Sequence, residues 1–260
     1  GGEPLIAKDI IFDLLRFTKD HAPPHLRYYG NITTNGYRLD TGSFINLIEN
    51  NITTFQISLD GDDSMHNRSR VLAGGDPTFE TIWTNLVTTK KIEKDFTVII
   101  RVHFTSENYT SLTTLIEKLN REFAFDKRYR IYFKSIERLG GKNDKDIPKT
   151  AWKKKSEIKA WLESRLADPS QSLSLHTSSD PYMCYASMPN SLVIRADGRI
   201  GKCTVALSNE KNSVGIITPG GELEINEHYN VWLEGIETGD LQMLACPLSK
   251  IDPFIKGNEK

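Results

Sequence analysis

Cysteine is scarce in this chain, with three residues, at positions 184, 203 and 246 of 260. An odd count confined to the last third excludes the many-bridged framework of a small secreted domain. An excess of one charge is also missing. The chain carries 33 Lys and Arg against 34 Asp and Glu, a net charge of −1, so no overall pull toward nucleic acid or anionic lipid is indicated. No apolar run approaches the length of a membrane span. Sequons at Asn31, Asn51, Asn67 and Asn108 fall in a chain rich in Asn, Ser and Thr and read as chance. A reducing cytoplasm suits this composition, with neither nucleic acid nor membrane as a partner.

What the chain does have is alternation. Ile10, Ile11, Leu14 and Leu15 predict a helix with one apolar face, ending near Pro23-Pro24. Residues 27–32 read as a strand and 41–49 as a helix with Phe44, Leu47 and Ile48 on one side. Residues 53–59 read as a second strand. Asp76-Pro77 predicts an N-cap with Pro at the first helical position. Phe79, Ile82, Trp83, Leu86 and Val87 then follow at helical spacing. Residues 96–104 form a near-continuous apolar strand, as expected for burial on both faces of a parallel sheet. A helix carrying Leu112, Leu115, Ile116 and Leu119 precedes a strand at 130–136. Strand and helix in strict succession predict parallel βαβ units.

After residue 140 the grammar changes. A linker with a basic helix (Ile158, Trp161, Leu162 and Leu166 inside, Lys153 to Lys155 outside) occupies 141–180. Beyond Pro181, residues 191–194 and 199–203 flank Asp197-Gly198, which predicts a type I′ hairpin. Residues 214–217 and 222–225 flank Thr-Pro-Gly-Gly. The chain is therefore expected to be α/β: a βα barrel portion over 1–140, the linker and helix, and a small hairpin-rich α+β domain over 181–260.

The polar clusters directly follow the strand-like runs, which is where a βα barrel places its chemistry. Gly1-Gly2-Glu3-Pro4 makes a close-approach turn suited to a small zwitterion, with Glu3 as acceptor for an ammonium group. Thr34 and Asn35 end the first strand, where Asn35-Gly36 also reads as an ordinary turn. Ser58 and Asp60 end the next strand, with His66 and Arg70 after them. Ser58 can hydrogen-bond a ribose or carboxylate, and Arg70 can pair with a carboxylate by a charge-assisted fork. Arg101 and His103 alternate on a strand, and a lone strand His is more often a satisfied core group. Cys184, Cys203 and Cys246 fit ligands of an iron–sulfur cluster, buried free thiols, or a zinc site needing a fourth ligand.

Taken in order, these stretches resemble the radical S-adenosylmethionine enzymes with a SPASM or twitch accessory domain, and the peptide- and sulfatase-maturing members in particular. Gly1-Gly2-Glu3-Pro4 is similar to their methionine-binding turn. Ile57-Ser58-Leu59-Asp60-Gly61 with His66 and Arg70 is similar to their SLDG…HDxxR stretch, Asn67 standing where Asp is usual. Cys184-x13-Gly198-x4-Cys203 resembles the opening of the SPASM pattern.

The resemblance implies a partial (β/α)6 TIM-like barrel lacking its first strand. It assigns Gly1, Gly2, Glu3, Pro4, Thr34, Asn35, Ser58, Asp60 and Arg70 to S-adenosylmethionine, and Cys184, Cys203 and Cys246 to an accessory [4Fe–4S] cluster. It further implies a 5′-deoxyadenosyl radical acting on a peptide or protein substrate, and a reductant protein as partner. The Cys-x3-Cys-x2-Cys motif of the catalytic [4Fe–4S] cluster is expected ahead of residue 1. No catalytic side chain is assigned, because Thr204 stands where the sulfatase-maturing members carry an Asp. The competing expectation is a non-catalytic peptide-binding module with structural zinc or free thiols.

Overall fold

Four segments rich in β-branched or aromatic residues pair side by side in chain order. The computed structural model describes residues 2–136, 151–173 and 182–251. In it β1 (Gly30–Thr34), β2 (Ile52–Leu59), β3 (Thr97–Phe104) and β4 (Tyr129–Ser135) form one parallel sheet, order β1-β2-β3-β4. The helices are α1 (Lys8–His21), α2 (Thr41–Glu49), α3 (Asp63–Ser69), α4 (Phe79–Thr89), α5 (Thr113–Phe123) and α6 (Trp152–Glu163). The α/β class and the parallel sheet read from the sequence are both present.

Strand periodicity sorts the side chains. Ile32, Phe55, Val98 and Tyr129 lie in one cross-strand row; Ile57, Ile100 and Ile131 lie in the next, and Leu59, Val102 and Phe133 in a third. All are buried with Phe44, Leu47, Leu86, Leu115 and Leu119 in a single core. Phe55 stacks on Phe44 at 4.3 Å, and Phe44 meets Phe96 edge-on at 5.0 Å.

β3 departs from its expected burial. Val98, Ile100, Val102 and Phe104 are buried, whereas Thr97, Ile99, Arg101 and His103 are half-buried. One face of the sheet is apolar and packed in the core. The other carries Thr54, Gln56 and Ser58 from β2, Arg101 and His103 from β3, and Arg130, Tyr132 and Lys134 from β4. A parallel sheet covered by helices on both sides does not show this alternation; the wall of a barrel does.

Two local differences have plain causes. Ile10 and Leu14 are more than 60% exposed, while Ile11 and Leu15 pack partly on the core. The apolar stripe of α1 is wider than the surface it meets among the described residues. α4 begins at Phe79 rather than at Pro77, because Asn67 Oδ1 accepts from the backbone N–H of Thr78 (2.9 Å) and Phe79 (3.1 Å) and caps the helix from outside. The helix read within 141–180 packs by the residues expected inside: Ile158, Leu162 and Leu166 join α5 and β4 residues in the core, and Ser172 beyond it bridges Ile131 in parallel. Its flanks, 141–150 and 174–180, lie outside the described residues.

Residues 182–251 belong to a second unit. There β5 (Val193–Ile194), β6 (Arg199–Gly201), β7 (Gly215–Ile217) and β8 (Leu223–Ile225) form an antiparallel meander, followed by α7 (His228–Thr238), α8 (Leu241–Ala245) and α9 (Leu248–Ile251). The expected type I′ turn is instead a three-residue loop. Gly198 N–H donates to Arg195 O, Arg195 N–H donates to Arg199 O, and only Gly198 of the Asp-Gly pair has positive φ, at +81°. Thr218 to Glu222 repeats the arrangement with Gly221 at +86°. Trp232, fully buried with Ile200 and Val214, centres a small core. Among the described residues no helix is long and apolar enough to cross a membrane.

Phe55→Ala removes a fully buried ring from the centre of the larger core, and is expected to cost about 3–5 kcal/mol. Urea unfolding followed by circular dichroism should show a lowered midpoint; an unchanged midpoint would place the core elsewhere.

Candidate functional site

A cleft of about 300 Å³ opens at the C-terminal edge of β1 and β2, lined by Gly2, Glu3, Thr33, Thr34, Asn35, Ser58 and Arg70. Most of the residues singled out from sequence therefore meet at one place. Pro4 starts the 3-10 helix Pro4–Ala7 beside it, and Gly1 lies outside the described residues.

The Glu3 carboxylate builds one side of the cleft. Its Oε1 accepts from Leu5 N–H (2.9 Å) and the Thr34 hydroxyl (2.6 Å), and its Oε2 accepts from Asn35 N–H (2.6 Å). Oε2 retains a lone-pair direction, so Glu3 can serve a ligand while it ties the opening turn to the end of β1. The Thr34 hydroxyl in turn accepts from Gly36 N–H (3.1 Å), and Asn85 donates to the carbonyls of Gly36 (2.9 Å) and Tyr37 (3.1 Å). Gly36 must be glycine: its φ is +81°, and a Cβ there would stand 3.1 Å from Ile57 and 3.2 Å from Ile82.

The other side is built around Asp60. Arg70 Nε donates to its Oδ2 (2.5 Å), His103 Nδ1 meets its Oδ1 (2.7 Å), and its own N–H donates to His66 Nδ1 (3.3 Å). Burial alone would raise the Asp60 pKa; the hydrogen bonds from His103 and Arg70, with the Arg70 charge, hold it well below the usual carboxylate range. Asp60 therefore positions Arg70 and does not itself line the cleft. Arg70, expected from sequence to be held for a ligand carboxylate, already spends its Nε on Asp60. Ser58 is nearly buried and lines the cleft with its hydroxyl unpaired among the described residues.

His66 is fully buried against the edge of Phe79, with ring centroids 5.6 Å apart. Burial first, then the Arg70 charge, push its pKa from 6.5 to about 4, outweighing the pull of Asp60. The folded ring is neutral, accepts at Nδ1, and keeps its Nε2 without a partner among the described residues. The His66-Asn67-x2-Arg70 stretch thus has a structural role: His66 braces Asp60, Asn67 caps α4, and Arg70 closes the ion pair. Sequence reading took His103 for a satisfied strand histidine; it is satisfied, by Asp60 just beyond the end of β2, a partner the sequence alone does not name.

In the second unit Cys203 is buried after β6, Cys184 is half-buried and Cys246 is exposed at the end of α8. Burial pushes the Cys184 thiol pKa up against a backbone hydrogen bond from Ala186, and the neighbouring thiols of Cys246 and Cys203 also push it up. Among the described residues, however, no three Cys, His, Asp or Glu side chains assemble as a metal-holding set. The turn carrying Cys203 is organised by Asn212, which accepts from Lys202 and Cys203 N–H (both 2.9 Å) and donates to the carbonyls of Cys203 (2.8 Å) and Ala206 (3.0 Å). Buried Lys202 donates to the carbonyls of Met188 (2.5 Å) and Ser191 (2.8 Å).

No model of a known protein family matches the chain, and no curated protein matches it. Solved structures do. One is hexahistidine-tagged anSMEcpe with bound AdoMet: 20% identity, TM-score 0.63, covering 94% of this chain and 69% of that one. Another is native anSMEcpe with bound AdoMet and Kp18Cys peptide: 18% identity, TM-score 0.61, covering 94% and 72%. A third, with AdoMet and Cp18Cys peptide, gives 20% identity and TM-score 0.57, covering 83% and 62%. The fold matches that of anSMEcpe. Those proteins are anaerobic sulfatase-maturating enzymes; at this identity the likeness carries the fold alone.

Because the folded pKa of His66 lies below its unfolded value, its contribution to stability is complete above pH 6.5 and is lost as pH falls toward 4. His66→Gln should flatten the fall in urea midpoint over that window relative to the wild type. Equal slopes in the two proteins would show that His66 does not titrate this way.

Thiol exposure makes a separate forecast. Under denaturant-free conditions, alkylation mapped by mass spectrometry should label Cys246 first and Cys203 last. Early labelling of Cys203 would contradict its burial.

Proposed function

We propose that this chain is part of a radical S-adenosylmethionine enzyme that modifies a peptide or protein, with a partial (β/α)6 barrel and a small accessory domain. The observation that carries the reading is the cleft at the strand C-termini, which gathers Gly2, Glu3, Thr34, Asn35, Ser58 and Arg70 from three stretches far apart in sequence. The fold shared with anSMEcpe, which was crystallised with AdoMet and with peptides, supports it.

The donors and acceptors of the cleft suit S-adenosylmethionine. Glu3 offers a remaining carboxylate lone pair to an ammonium group, and the cleft's volume is in the small-molecule range. Ser58 presents an unpaired hydroxyl to a ribose or carboxylate, and Arg70 brings positive charge to the rim while Asp60 and His103 fix its direction. Bound S-adenosylmethionine, with a reduced [4Fe–4S] cluster and a reductant protein, supplies a hydrogen-abstracting radical; the chain's own part is to orient the cofactor and keep water from it. None of the three cysteines stands in the Cys-x3-Cys-x2-Cys spacing. Thiolates at Cys184, Cys203 and Cys246 have the donor chemistry for an accessory cluster, but the described residues leave that ligand set unassembled.

Calorimetry with S-adenosylmethionine tests the reading. The wild-type chain should bind it, and Ser58→Ala should bind about fivefold more weakly, the loss of roughly 1 kcal/mol from one neutral hydrogen bond. A wild type that binds neither S-adenosylmethionine nor methylthioadenosine would sink the proposal and favour a non-catalytic binding module.

A further inference from the structure

The half of the open sheet face beyond the cleft is cationic, and among the described residues neither of its guanidinium groups meets an anion. Along β1 to β4 the positions on this face include no Asp or Glu, whereas β3 and β4 place Arg101, Arg130 and Lys134 there. Asp60, at the strand ends, is already engaged by Arg70 and His103. Arg101 sits directly across from Ser58 in the β2–β3 register and across from Tyr132 in the β3–β4 register. It is half-buried, its Nε is wholly shielded from solvent, and among the described residues no hydrogen bond or ion pair holds its guanidinium. Among the described residues Arg130 reaches only the carbonyls of Gln171 (3.4 Å) and Ser172 (3.5 Å), both at the outer limit of hydrogen bonding.

A shielded guanidinium nitrogen without an acceptor is unfavourable, and an anionic ligand laid on this face would supply one while meeting the terminal nitrogens at the surface. The planar fork of Arg is matched by a carboxylate, which takes two parallel N–H donors. Ser58 belongs to the cleft, so Arg101 adjoins that cleft on its inner side, between the cofactor position of the preceding section and β4.

We propose that Arg101, supported by Arg130, is a substrate-selecting residue that binds a carboxylate of an acidic peptide segment laid along the β3–β4 half of the open face. This rests on the cofactor reading only for the cleft's occupant; the preference for an acidic ligand follows from the face itself.

The test compares two capped pentapeptides, Ac-Ala-Ala-Glu-Ala-Ala-NH2 and its Gln counterpart, by calorimetry on the full chain at low and moderate salt. The wild type should favour the Glu peptide by about tenfold, the scale of one charge-assisted hydrogen bond in a half-buried site. Arg101→Gln should abolish the preference, Arg101→Lys should keep part of it, and Arg130→Gln should reduce it. S-adenosylmethionine affinity should stay within about twofold of wild type in Arg101→Gln; a change of about tenfold would move Arg101 into the cofactor's site and overturn the assignment. Equal binding of the two peptides by the wild type would overturn it too. A wild type that discriminates the peptides but binds no S-adenosylmethionine would leave this inference standing and remove the cofactor reading instead.

Discussion

Asp60 carries a charge in a place where charge is costly, and the top of the larger sheet is arranged around neutralising it. One carboxylate oxygen is taken by Arg70 at the end of α3, the other by His103 on β3, and the backbone N–H of the same residue is taken by His66. Removing Arg70 or His103 would leave the carboxylate poorly compensated, and removing His66 would leave its backbone N–H without an acceptor. The ends of β2, α3 and β3 are therefore locked to one another. The cleft inherits its rigidity from this lock, since Ser58 and Arg70 flank the carboxylate on either side in sequence. On the facing wall Glu3 does the same work with neutral partners: two backbone N–H groups and one hydroxyl.

Much of this was legible in the sequence, and the reasons are local. The helix over Thr41–Glu49 and the strands β2 and β3 lie within a residue of where periodicity places them, because hydrophobic spacing is a direct record of which face is buried. The polar clusters after the strands pointed to one end of the sheet because parallel topology allows no other arrangement. What stayed hidden depends on partners distant in the chain. Asn67 caps a helix eleven residues on, and Asp76-Pro77, which looks like the cap, closes a loop with Leu72. The run over residues 96–104 looks uniformly apolar because Ile99 sits among its core neighbours, so the face carrying Arg101 and His103 is visible only once β2 and β4 flank it. Asp197-Gly198 illustrates a finer limit: the pair specifies a tight hairpin, but whether one or both residues take positive φ is decided by the strand register around it.

Buried polar side chains organise the second unit. Asn212 uses both ends of its amide to hold the turn that bears Cys203, and buried Lys202 is satisfied by two carbonyls and the face of Tyr229 at 5.0 Å. Neither residue carries a sequence signature, since Asn and Lys are ordinarily exposed. Their burial explains how short strands of two and three residues can be held in register around one tryptophan.

The two-residue alternation along β2, β3 and β4 also divides the labour of natural selection. Every second position answers to the core, where a lost methylene is felt at once; the positions between answer only to whatever lies against the open face. Changes at Thr54, Gln56, Arg101, Arg130 or Lys134 can accumulate with little penalty to folding. Relatives could then diverge in what they recognise while keeping one scaffold, and the record of past substrates would be written at odd positions of β3 and even positions of β2 and β4.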